Sequence, residues 1–309
     1  MGNLYLGYNN QAQQDGYFAQ LQRKITICFI ARVLKSRFYE TKISDVWVQQ
    51  LDNFQNSGDL SNYLTVMNAI YQHPTQVPTT GFHSQITLGA PTLPELLILK
   101  IKSFILNRNI LALIANPYGC YEKKYFPRIT KSFVKKLNFK IKDIDQDPSL
   151  VIHIRRGVTL SHIVPGEKAS RVLNEAYFER LISKIISENS SINLKLVILT
   201  DAPEQTFIYS PVQKDKEKWE LEFVNQKTSD GVKIEGHSFQ NLINFFPGEV
   251  KIIRGGDPQA AIEEMIKAKF FIMSRSSMSY VGALLNKNGA IYYPPNFWHK
   301  PLKNWIKCS

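Results

Sequence analysis

Between residues 150 and 293 short apolar runs alternate with helical patterns, and this rhythm limits the fold more than any other feature of the chain. The runs are Leu150–Ile154, Leu194–Leu199, Val250–Ile253, Phe270–Met273 and Ala290–Tyr293. Each is short and rich in β-branched or aromatic residues, the pattern of a strand buried on both faces. Between them, Asn174–Glu188 carries Phe178, Leu181, Ile182, Ile185 and Ile186 at helical spacing. Pro258–Ala268 reads as a helix with Asp257 as N-cap and Pro258 at its first position, and Ser276–Leu285 reads as another. Strands alternating with helices predict an α/β unit, a parallel sheet covered on both faces. Ligands of such sheets bind beyond the carboxyl ends of the strands. Arg155, Asp201 and Ser274–Ser277 all fall just past predicted strand ends.

The first half is less regular. Ala19–Leu34 and Leu96–Leu113 read as helices, and residues 54–95, rich in Asn, Gln, Thr, Gly and Pro, read as loops and short helices. The polar, charged stretch Lys131–Asp147 separates two domains, 1–140 and 141–309. A chain of 309 residues is comfortable for two cores. No apolar run is long enough to cross a bilayer, and the N-terminus shows no secretory signal. Cys28, Cys120 and Cys308 are odd in number and far apart, so they make neither a disulfide framework nor a zinc spacing, and a reducing compartment is expected. The expected location is the cytoplasm or the cytoplasmic side of a membrane. The net charge of +12 fits a solvated basic surface, peripheral contact with anionic lipid, or, for a few of the charges, a diphosphate-bearing substrate. Nucleic-acid binding has no motif in its favour.

The chemistry concentrates in His153-Ile154-Arg155-Arg156-Gly157. In an extended chain neighbouring side chains point to opposite faces, so one arginine at most faces a given pocket unless Gly157 turns the chain. A guanidinium fork matches phosphate oxygens in pairs. The alternative is two surface arginines paired with Asp143, Asp145 or Asp147, and His153 alone reads more readily as a satisfied core histidine than as a catalytic one. In Phe270–Tyr280 an apolar strand runs into a hydroxyl-rich turn and a helix start, a local arrangement that holds anions and that also serves plain N-capping by Ser276 or Ser277.

Together, His-Ile-Arg-Arg-Gly at 153–157, Leu-Thr-Asp at 199–201 and Ser-Arg-Ser-Ser-Met-Ser-Tyr-Val-Gly-Ala at 274–283 resemble the three donor-binding motifs of the fucosyltransferase superfamily, which contains the α-1,2-, α-1,6- and protein O-fucosyltransferases. Asp15-Gly16-Tyr17-Phe18-Ala19-Gln20-Leu21-Gln22-Arg23 is similar to the glycine turn and helix start near the beginning of their N-terminal domain. The resemblance implies a GT-B-like fold, two Rossmann-like domains facing across a cleft, with the acceptor side in the first and the nucleotide sugar in the second. It implies an inverting transfer, without a metal or other cofactor, of a sugar from a nucleotide-diphosphate donor, GDP-fucose first, to a glycan hydroxyl. Arg155 or Arg156 then holds the β-phosphate, and His153, Gly16, Asp201, Ser274, Ser276 and Ser277 line the donor.

The sequence also departs from the family. Val158 and Thr159 stand where relatives carry an acidic residue, and no glutamate aligns as a base in Leu160–Lys168. Glu167, His162 and Asp15 are the candidates for that role. These departures leave open another donor, such as xylose or a different deoxyhexose, and a catalytically inactive glycan- or nucleotide-binding relative. Asp143-Ile144-Asp145 imitates the metal motif of a different glycosyltransferase fold, but it precedes a strand inside a charged connector, and no metal site is expected.

Overall fold

The computed structural model describes residues 2–9, 17–39, 41, 81–120, 147–156, 172–209, 227–228, 231–234, 236–255, 258–286, 288–297 and 299–308. The chain divides into two compact units, Met1–Asp143 and Ile144–Ser309.

In the first unit four parallel strands lie in the order β2-β1-β4-β3, where β1 is Leu4–Tyr8, β2 Arg37–Tyr39, β3 Ser84–Leu88 and β4 Ile110–Ile114. Alternation gives β1 and β4 one common inward face, Leu4, Leu6 and Tyr8 beside Ile110, Ala112 and Ile114. Helix α1, Tyr17–Val33, covers that face with Ile27, Ile30 and Ala31, and helix α2, Leu93–Ile105, adds Leu93 and Leu96. Helix α1 is buried beyond its apolar stripe: Gln20, Gln22, Arg23 and Lys24 are also enclosed, and Lys24 Nζ donates to the Thr41 carbonyl at 2.6 Å.

Two expectations for this half are corrected. The helix expected over Leu96–Leu113 ends at Ile105, and Ile110–Ile114 is a strand. Asn107 sits at φ 51°, a left-handed conformation that asparagine tolerates, and Arg108 N–H closes back on the Ser103 carbonyl. Past that turn, the apolar residues gain more by pairing with β1 and β3 than by extending the helix. Within 54–95, Ser84–Leu88 is strand β3 rather than loop, and the helix over Leu93–Ile105 begins at an N-cap, Thr92, that shares a capping box with Glu95.

The second unit carries a six-stranded parallel sheet in the order β10-β6-β5-β11-β12-β13. Its strands are β5 Asp147–Ile154, β6 Lys195–Thr200, β10 Val250–Arg254, β11 Ala268–Ile272, β12 Ala290–Tyr293 and the short β13 Ile306–Lys307. Counted from β5, the order is 3-2-1-4-5-6, that of the Rossmann fold. All five predicted strands are present, and β13 adds a sixth. Helix α3, Glu175–Glu188, packs Phe178, Leu181, Ile182 and Ile185 onto Leu150, Ile152 and Ile154 of β5. Asn174 caps α3 by accepting from Tyr177 N–H at 3.0 Å. A small antiparallel sheet of β7 Phe207–Tyr209, β8 Lys227–Thr228 and β9 Gly231–Ile234, then helix α4 Gln240–Phe245, lie between β6 and β10 in the chain and are absent from the sequence reading. Helix α5, Pro258–Lys267, passes directly into β11, so the expected boundary moves from Phe270 to Ala268. Asn286 makes this abrupt joint tolerable: its Nδ2 donates to the carbonyls of Met265 and Ala268, both at 2.8 Å. Helix α6, Ser277–Leu285, follows β11. Asp257, the expected cap of α5, lies outside the described residues.

Candidate functional site

The strand order explains where a ligand can enter. From β5 the chain builds outward through β6 to β10, then returns to the other side of β5 and builds through β11 to β12 and β13. The connections diverge at the carboxyl ends of β5 and β11, the topological switch point at which open α/β sheets bind ligands. Arg155 and Arg156 follow β5 and Ser274–Ser276 follow β11, so both motifs reach this point.

The two arginines divide as period-two alternation requires. Arg155 continues the His153 face, on the side of α6. Its Nη1 donates to Ser276 Oγ at 3.4 Å, and its side chain is 38% exposed. Arg156 follows the Ile152 and Ile154 face, on the side of α3, and is 4% exposed. Burial lowers the pKa of Arg156, an effect opposed by the charges of Glu175 at the start of α3 and of Asp201. Arg156 Nη1 donates to the Arg155 carbonyl at 3.2 Å, which stiffens the chain as it leaves β5.

Asp201 ties the ends of two strands together. Its Oδ1 accepts from Arg156 N–H at 2.7 Å, and its Oδ2 lies 4.0 Å from Arg155 Nε. Both of the latter side chains are more than a third exposed, so the ion pair itself adds little stability, while the backbone hydrogen bond fixes where Arg155 starts. Arg254, at the end of β10, supports the loop after Asp201 by donating to the carbonyls of Ala202 and Pro203 at 3.2 and 3.4 Å.

Beneath this surface lies a buried polar knot. His153 Nδ1 is hydrogen-bonded to Ser279 Oγ and lies 3.2 Å from Ser274 Oγ. Ser274 and Ser279 hydroxyls are 3.1 Å apart, and Ser279 Oγ also accepts from Ser274 N–H at 3.2 Å. Burial, helped by the positive charge of Arg155, pushes the His153 pKa down to about 3, so the ring is neutral at ordinary pH. His153 and Ser274 are 5% and 2% exposed; they hold the β11–α6 turn against β5. Ser276 caps α6 by accepting from Met278 N–H at 3.2 Å, and Ser277 is the first residue of the helix, half-buried. Farther along α6, Tyr280 donates its hydroxyl proton to the Lys300 carbonyl at 2.7 Å, anchoring the helix to the C-terminal segment.

The structure therefore brings together Arg155, Arg156, Asp201, His153, Ser274, Ser276 and Ser277. Asp15, Gly16, His162 and Glu167 lie outside the described residues, as do Gly157, Val158, Asp143 and Asp145. Sequence reasoning missed Ser279, whose signal was its place on the first turn of the predicted helix after the hydroxyl-rich segment, and Arg254, which ends an apolar strand as Arg155 follows one. Among the described residues no group of His, Cys, Asp and Glu side chains is arranged to hold a metal ion.

A scan against protein-family models and a search of curated proteins find no match. Among solved structures, the chain is similar to POFUT1 (protein O-fucosyltransferase) in complex with GDP, at 8% identity over 93% of this chain and 96% of that chain, with a TM-score of 0.43. The complex of POFUT1 with GDP-fucose matches at 8% identity over 92% and 94%, with a TM-score of 0.42. The E. coli heptosyltransferase WaaC with ADP-2-deoxy-2-fluoro heptose matches at 11% identity over 99% and 92%, with a TM-score of 0.36. The chain is thus similar to structures of two GT-B glycosyltransferases, one a protein O-fucosyltransferase and the other a heptosyltransferase.

Proposed function

We propose that the chain is an inverting, metal-independent glycosyltransferase whose second unit binds the diphosphate of a nucleotide sugar, GDP-fucose first among donors, and whose acceptor is a glycan hydroxyl bound on the side of the first unit. The observation that carries this reading is the pairing of Arg155 with Ser276 across the switch point of a Rossmann-ordered sheet. A planar cation and a helix start converge there, and both suit phosphate oxygens. Departure of a nucleoside diphosphate develops negative charge on the β-phosphate. Arg155, whose backbone is positioned by the Arg156 N–H bond to Asp201, stabilises that charge most in the transition state. The acceptor oxygen attacks the opposite face of the anomeric carbon while a base removes its proton. Asp15, His162 and Glu167 remain the candidates for that base.

Calorimetry tests the clamp. GDP should bind more tightly than GMP, because the second phosphate reaches Arg155 and the α6 start. UDP against UMP and dTDP against dTMP are the matching arms, and they cover the reading with another donor sugar that Val158 and Thr159 leave open. Equal affinity for diphosphate and monophosphate in every pair would remove the assignment. Turnover of the preferred donor should also survive EDTA; loss with chelation and recovery with Mn²⁺ would show that a metal takes part.

A further inference from the structure

Helix α2 is apolar on the wrong side for a helix whose only task is to cover a sheet. Leu93, Leu96 and Ser103 face inward, and Lys100 Nζ is hydrogen-bonded to the Leu34 carbonyl. Outward stand Leu97, Ile98, Ile101, Phe104 and Ile105, between 46% and 72% exposed, with Leu106 at 57% just beyond. At 100° per residue the first five span an arc of about 120°, a continuous stripe rather than scattered contacts. Apolar stripes of this kind on a folded surface mark a docking face.

The surroundings select the occupant. Lys102 borders the stripe, Arg108 follows the helix, and Lys35 adjoins the Leu34 carbonyl that Lys100 holds; all three are exposed. The single acid of the helix, Glu95, is engaged by the N–H and hydroxyl of Thr92. The first unit contains 17 of the 38 basic residues and 8 of the 26 acidic ones, so it carries +9 of the net +12. That charge opposes pairing of two copies through this face and attracts an anionic partner. With 13 residues the helix is about 20 Å long, against about 30 Å of bilayer hydrocarbon, so it is too short to cross. A cavity of about 380 Å³ between Leu88–Pro91 and Glu95, Ile98 and Leu99 opens beside the stripe and gives one end of it relief.

We propose that α2 lies in the plane of an anionic lipid bilayer, with Leu97, Ile98, Ile101, Phe104 and Ile105 among the acyl chains and Lys35, Lys102 and Arg108 at the headgroup phosphates. Both halves of the contact are required, since interfacial helices bind by buried apolar area together with electrostatic attraction. The inference is independent of the donor chemistry.

The test is co-sedimentation of the full chain with vesicles of phosphatidylcholine alone or with one third phosphatidylglycerol. The wild type should partition at least tenfold more strongly onto the anionic vesicles, and less as salt rises. Ile101→Asp and Phe104→Asp should each lower that partition by about tenfold or more, without lowering the melting temperature, because both side chains are already half exposed. Lys102→Glu and Arg108→Glu should weaken binding to anionic vesicles about fivefold for each cation removed and leave neutral vesicles unaffected. Failure of the wild type to bind either vesicle, or equal binding by the Asp variants, overturns the proposal. So does light scattering that finds a dimer dispersed by Ile101→Asp, which would give the face to a second copy.

Discussion

Replacing His153 by Asn should make the fold less sensitive to acid. In the folded chain the ring stays neutral down to about pH 3, whereas an unfolded histidine takes up a proton near 6.5. Below 6.5 the unfolded state therefore binds a proton that the folded state refuses. Stability from this group is fully present above 6.5 and is lost as pH falls toward 3. At 1.36 kcal/mol per pH unit, the loss reaches about 2 kcal/mol at pH 5. The cause is structural: the ring is enclosed between β5 and α6, its Nδ1 is shared by Ser274 and Ser279, and the cation of Arg155 lies two residues along the same strand face. Asparagine offers an amide near the position of Nδ1 but does not titrate. The assay is urea unfolding of both proteins at pH 7 and pH 5. The variant starts lower at pH 7 because it loses ring volume, and that deficit cancels when each protein is compared with itself. The wild type should lose about 2 kcal/mol more than His153→Asn across the interval. Equal losses would refute the argument that the ring is held neutral by its burial.

The arginine pair should separate under mutation: Arg155→Ala should cut kcat on the order of 10²-fold at a cost to stability of about 1 kcal/mol or less, and Arg155→Lys should rescue only in part because lysine lacks the planar fork. Arg156→Ala should instead act mainly on the fold, lowering stability by about 1–3 kcal/mol through lost packing around a buried guanidinium, as melting curves and steady-state kinetics on the same preparations would reveal. Gly282→Ala should destabilise by about 1–3 kcal/mol, since a Cβ there runs into Met265 Sδ and comes within 2.8 Å of Met265 Cβ; an unchanged melting temperature would mean that α5 and α6 can part more easily than their contact suggests.

The second unit was legible because its signal is local. Each strand is an apolar run bounded by turn residues, and each helix shows its stripe within its own sequence, so five strands and three helices could be read with boundaries off by a few residues. The antiparallel strands β7, β8 and β9 and the two-residue β13 were not, because strands of two to four residues carry no period to count. The error at Leu96–Leu113 has a different origin. Its apolar residues continue at spacings that a helix tolerates, and only Asn107, in a left-handed conformation, marks the break. A single asparagine is weak punctuation when read alone, but β1 and β3 on either side decide the matter for Ile110–Ile114. At the site, adjacency to strand ends was readable, whereas strand order was not. The apolar pattern does not say that β11 lies beside β5 rather than at an edge; only the motif resemblance implied it, and without that neighbour Ser276 never meets Arg155.

The adjacent arginines follow from the geometry of one strand end. Whatever residue follows Ile154 must face α6, and the next must face α3, so a pair of identical side chains acquires two environments. The inner one is desolvated and constrained, with its N–H fixed by Asp201 and its guanidinium on the preceding carbonyl. The outer one keeps a third of its surface in water beside a helix start. A cation intended to stabilise charge on a leaving group gains most when it needs no reorientation as the bond breaks. In the proposed role, Arg156 and Asp201 would supply that preorganisation from the strand end, and the His153–Ser274–Ser279 knot would supply it from the α6 side. Loosening either support should therefore weaken the action of Arg155 without touching Arg155 itself. In kinetics this distinction would appear as a fall in kcat for Ser279→Ala with the diphosphate affinity largely kept, because a wandering cation still attracts a bound diphosphate but meets the transition-state charge less often in register.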